Sequence, residues 1–92
     1  MGKDKRYPEK RDISAIVILL ATQGMINLAE IADPLNGQKI LNIEGAKFFT
    51  DLLAELKLKT QGNLLEEETA FINDTLENLQ KIICKKTNTA ND

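Results

Sequence analysis

Three consecutive carboxylates, Glu66, Glu67 and Glu68, and a pair four residues apart, Asp51 and Glu55, are the side chains of this 92-residue chain whose type and spacing best suit chemistry. Paired carboxylates can share a divalent cation or divide the roles of general acid and base. Each set also has a plainer role. The triplet opens a helical pattern, where the helix macrodipole stabilises negative charge. Asp51 lies four residues from Lys47, and Glu55 four from Lys59, the spacing of neighbours on a solvated helix face. The chain has no histidine and one cysteine, so a zinc site of the usual nitrogen and sulfur donors has nothing to build on. Ser14 is the only serine, and the five glycines are scattered, so neither an activated hydroxyl nor a phosphate-cradling loop is expected. Cys84 closes an apolar pattern and reads as a small, partly buried hydrophobe. No enzymatic activity, metal or cofactor is expected from this inventory.

Two further groups carry polar potential. Gln23 and Asn27 form an amide pair at i, i+4 on an otherwise apolar helix. Such groups either bond backbone and water or fix register across a symmetric contact. The Asp33–Gly37 turn has the look of a calcium loop, but aligning Gly37 with the loop glycine puts Ala32, Pro34 and Ile43 at ligand positions, which excludes one.

Three helices are expected to position these residues, over about 13–31, 43–61 and 64–86. Asp12 or Ser14 caps the first, and Asp33-Pro34 stops it, because proline disfavours the helical conformation in the residue before it. Asn36-Gly37 supplies a turn. Asn42 caps the second helix, whose Ala46, Phe49, Leu53 and Leu56 recur as one buried stripe, with Phe48 and Leu52 widening it. Gln61-Gly62 ends it. Asn63-x-x-Glu66 forms a capping box for the third, whose Leu65, Ile72 and Leu79, with Leu76 and Ile83, trace a seam of about three heptads. Residues 1–12 read as a flexible charged tail, 13–86 as a single helical domain and 87–92 as a flexible polar tail. A short joint between helices two and three makes them an antiparallel hairpin, with helix one laid across it. Ala21 and Gly24 would let another helix approach closely.

Charge is unevenly spread. The net charge is −2, yet residues 1–12 carry +2 and residues 13–84 carry −5, with both arginines in the leading segment. An arginine-free body of that sign is a poor phosphate binder, so nucleic acid is not the expected partner of the helices. A single cysteine fits a reducing, cytoplasmic setting. The basic start followed by an apolar run has the outline of a secretory signal, but no clean cleavage site follows it. Arg6 stands where a myristoylation signal has serine or threonine. Polar residues interrupt the window 13–32, so a membrane span is not expected.

The apolar run itself is the most informative feature. Ala15, Ile16, Val17, Ile18, Leu19, Leu20 and Ala21 point in every direction around a helix, so one buried stripe cannot satisfy them. A domain of this size has little core to offer. The expected solution is an all-α three-helix arrangement that self-associates, or docks on a larger protein, through Ala15–Ala21 with Gly24. The expected function is a non-catalytic interaction or oligomerisation module. The alternative is weak binding of nucleic acid or an anionic membrane by the basic residues 3–11.

Taken together, Leu20-Ala-Thr-Gln23, Asp33-Pro34, Gly37-Gln38-Lys39, Asn42-x-Glu44-x-Ala46-Lys47, Asp51-Leu-Leu53 and Lys57-x-Lys59-Thr60-x-Gly62-Asn63-Leu64 before Glu66-Glu-Glu68 form a pattern. It resembles that of a family of short bacterial proteins, domain of unknown function 1844, from about Ile13 to Ile83. The resemblance implies a small, mostly helical, cytoplasmic bacterial protein and brings no activity, cofactor or binding residue. Leu65 departs from the family's threonine or serine cap, which should shift capping to Asn63. Gly45 departs too, weakening the first turn of helix two.

Overall fold

The computed structural model describes residues 12–91, with side chains to 88. The tail expected before residue 12 lies outside the described residues. Helix α1 spans Ile13–Asn27, α2 spans Ile43–Lys59 and α3 spans Glu66–Asn91. No strand occurs among the described residues.

Helix α1 begins where the sequence suggests, with the Asp12 carboxylate accepting from the Ser14 N–H at 2.9 Å. It ends four residues earlier than expected. Ala29 takes a left-handed φ of 61°. Its N–H donates to the Ile26 carbonyl and that of Glu30 to the Met25 carbonyl, each at 3.0 Å. This pair of bonds is a Schellman cap, usually closed by glycine at the left-handed residue. An alanine there is strained by about 1 kcal/mol. Asp33-Pro34 therefore does not stop the helix; the cap has already done so. What holds the strained cap is Leu28, the residue just before it, which is fully buried.

Helix α2 follows its sequence signals closely. The Asn42 Oδ1 accepts from the Gly45 N–H at 3.0 Å, and Gly62, at φ 86°, lets the chain turn after Thr60. Helix α3 departs at both ends. The Thr69 N–H donates to the Leu65 carbonyl, and the Glu68 carboxylate accepts from the Leu65 N–H at 2.8 Å. Leu65, not Asn63, therefore occupies the cap position, with the reciprocal half of a capping box and no side-chain oxygen for the other half. At its far end α3 continues past residue 86 to Asn91.

Close approaches fix the packing directions. A methyl group on Gly45 would stand 2.7 Å from the Asn27 Oδ1, and one on Gly24 would stand 3.9 Å from the Phe49 Cβ. Rising numbers on α1 meet falling numbers on α2, so the two are antiparallel. Gly24 also meets Leu79, at 3.2 Å from such a methyl group, and Glu30 pairs with Lys86 at 3.8 Å. Helices α1 and α3 therefore run parallel.

The core comprises Val17, Leu28, Ala46, Leu53, Ile72, Leu76 and Leu79. The heptad seam of α3 is realised by Ile72, Leu76 and Leu79, while Leu65, sitting before the helix, is exposed. Thr50 is buried among the α2 stripe, its hydroxyl donating to the Ala46 carbonyl at 2.8 Å. That back-bond satisfies the hydroxyl inside the helix and lets a polar residue share an apolar face. Phe48 and Leu52, expected to widen the stripe, are instead exposed. Cys84 is exposed as well, correcting its expected partial burial. One position beyond Ile83, it is turned about 100° away from the seam.

Candidate interaction surface

Helix α1 contains no charged residue along its fifteen positions, ISAIVILLATQGMIN. Its apolar side chains are spread almost evenly around the axis, so burial on one side necessarily leaves others outside. Val17 and Gly24 point into the core. Ala15, Leu20 and Ala21 are half-buried. Ile16, Ile18 and Leu19 remain 45%, 40% and 54% exposed. Of the residues expected to form an association surface, two thus serve the interior of their own chain, and three large ones face solvent.

Helical periodicity extends this surface onto α2. Asn27 marks the flank of α1 that meets α2, and Gln23, Leu20 and Ile16 repeat on that flank at spacings of four, three and four. Gly45 marks the facing flank of α2, which Phe49, Leu52 and Leu56 share by the same count. Ile16 and Leu52 are both part-exposed, so they lie at the outer rim of the α1–α2 contact. Phe48, 57% exposed, stacks edge-to-face on Phe49 with ring centroids 5.3 Å apart. By this count Ile16 on α1 and Phe48 and Leu52 on α2 lie along the α1–α2 boundary at different heights, with Leu19 outward of it and Ile18 on the other side of the α1 ridge.

The amide pair has a local role. The Asn27 Nδ2 donates to the Gln23 carbonyl at 2.8 Å. The Asn27 carbonyl accepts from the Asn42 N–H at 2.6 Å, tying the end of α1 to the cap of α2. Gly45 lets the two helix ends meet, since any side chain there would displace the Asn27 amide. Its cost in helix propensity thus has a structural purpose that no sequence signal announced.

Between these ends the connecting segment folds on itself. The Asp33 Oδ1 accepts from the Leu35 N–H, the Asn36 Oδ1 from the Gln38 N–H, and the Asp33 carbonyl from the Gly37 N–H at 2.7 Å. Gly37, at φ 71°, closes this turn. A shallow depression of about 180 Å³ lies beside it, lined by Ile26, Asn27, Asp33, Gln38, Ile40 and Asn42. Leu35 projects from the turn almost wholly exposed.

The carboxylates singled out by spacing do not assemble. Asp51, Glu55, Glu66 and Glu67 are exposed, and among the described residues no three His, Cys, Asp or Glu side chains are grouped as metal ligands. Glu68 is engaged at the Leu65 cap. Among the described residues no helix is long and apolar enough to cross a membrane. Helix α1 spans about 22 Å, against the ~30 Å of a bilayer core.

The model of the family described as Domain of unknown function (DUF1844) matches residues 10–82. That match covers all of α1 and α2 and most of α3, and the chain belongs to this family. No curated protein and no solved structure matches it.

Proposed function

We propose that this member of the family is a non-catalytic protein–protein interaction module whose contact surface is the outward side of α1 with the adjoining edge of α2. The observation that carries this reading is the exposure of Ile16, Ile18 and Leu19 on a helix that has no charged residue. Single exposed apolar residues are ordinary on protein surfaces. Here five large ones, counting Phe48 and Leu52, are carried on α1 and on the neighbouring α2, and a concentration of exposed apolar side chains of this kind marks contact sites.

A photoreactive amino acid placed at Leu19 tests the reading in cells. Light should produce protein adducts from position 19 and none from position 51, on the charged side of α2. Equal adducts from both positions, or none from Leu19, would refute it. Binding of nucleic acid or anionic lipid by the basic residues 3–11 is a separate possibility, removed by deleting residues 1–11 while leaving the Leu19 adducts intact.

A further inference from the structure

We infer that the partner of this face is a second copy of the chain, with the two α1 helices packed antiparallel about a two-fold axis between Ile18 and Leu19. The inference rests on the interaction reading above and names its partner. Three observations support it.

The first is charge. Residues 13–27 offer no ionic group for a charged partner to complement. An uncharged apolar face is complementary to itself, and a two-fold axis presents the same patch from both sides.

The second is area. Ile16, Ile18, Leu19, Phe48 and Leu52 are between 37% and 57% exposed. Together they offer roughly 500 Å² per copy, at roughly 100 Å² for each half-exposed large side chain. The neighbouring Ala15, Thr22 and Gln23 bring the face toward the ~800 Å² per partner of a standard interface. This is enough for a reversible dimer and too little for an obligate one.

The third is direction. Ala15, Leu19 and Thr22 lie about 180° around α1 from the core-facing Val17, Gly24 and Leu28, at the 4-3 spacing of a helix-pairing seam. A parallel pair would align the two helix dipoles. An antiparallel pair opposes them. It sets Ala15 of one copy beside Thr22 of the other.

Light scattering of the purified full chain from low to high micromolar concentration should show a monomer–dimer equilibrium. Leu19→Lys should weaken it at least about tenfold, as removal of a central anchor does, with helicity by circular dichroism unchanged. Phe48→Ser serves as a second variant if Leu19→Lys fails to fold. Orientation is read in a Cys84→Ser background. Mixed Ala15→Cys and Thr22→Cys chains should form the hetero-disulfide, and neither variant should cross-link with itself. A monomer throughout the range overturns the second-copy inference. Adducts from Leu19 to a different protein would then leave the interaction reading standing. Self-cross-linking of Ala15→Cys overturns the antiparallel arrangement.

Discussion

Helix α3 sends Ile72, Leu76 and Leu79 into the core and gives most of its remaining surface to charged and amide side chains. Helix α1, little more than half as long, buries Val17 and Gly24 and still shows Ile16, Ile18 and Leu19 to solvent. Both helices border the same core. The difference lies in periodicity: α3 repeats its apolar residues on one line, whereas α1 has no polar side to turn outward. Apart from Phe71, 37% exposed, the large apolar residues of α3 are therefore accounted for by the fold. On α1, three of the large ones, Ile16, Ile18 and Leu19, are not, and stability within one chain does not explain their presence.

Paired truncations test this contrast most directly. Leu79→Ala removes a side chain that is 1% exposed and packs against Gly24, and should lower stability by about 3 kcal/mol in urea unfolding. Leu19→Ala, on the outer side of α1, should cost well under half of that when measured on dilute monomer. Comparable losses at the two sites would mean that Leu19 is part of the core after all.

A smaller effect tests the junction that orients α1. Gly45→Ala would ordinarily stabilise a helix by up to about 1 kcal/mol. Here the new methyl group displaces the Asn27 amide and breaks its bond to the Gln23 carbonyl. The expected result is a small net loss, under about 1 kcal/mol. In the Asn27→Ala background the same change should be neutral or stabilising, a reversal that thermal unfolding would register.

The ends of the two helices give the finest comparison, since each carries a residue unsuited to its place. Leu65→Ser supplies the missing side-chain acceptor at the start of α3 and should stabilise by about 1 kcal/mol. Ala29→Gly relieves the left-handed alanine at the end of α1. It should gain about 0.5 kcal/mol, because glycine's greater freedom in the unfolded chain offsets part of the relief. Calorimetry showing a loss for either variant would contradict the corresponding cap.

Much of this architecture was legible wherever a local signal was also decisive. Asp12 and Asn42 cap as their side-chain oxygens suggest, Gly37 and Gly62 take left-handed turns, and the α3 seam follows its heptad spacing. The misreadings arose where tertiary contacts decide. Leu28 to Ile31 continue the helical pattern of α1, but burial of Leu28 and the tie between Asn27 and Asn42 end the helix first. Asn63 looked a better cap than Leu65, yet the Glu68 carboxylate selects the position three residues before itself. Phe48 and Leu52 have apolar chemistry suited to the core, but Ala46, Thr50 and Leu53 take the buried side of α2. For the surface of α1, the lack of a polar side was visible in sequence. Which of its residues would stay outside depended on the neighbours of Gly24 and Asn27, and no pattern in the chain encodes those.

The 2.6 Å bond from the Asn42 N–H to the Asn27 carbonyl pinches the chain shut at the base of the connecting segment. Beyond the buried Leu28 and the Glu30–Lys86 pair, the stretch 32–41 hangs from this closed ring, so a change at its tip does not pull on the helices. Foreign sequence spliced in after Leu35, which is 92% exposed, would then add only about 0.6 kcal/mol for each doubling of ring length. That makes the tip a natural port for a fluorophore or an affinity handle.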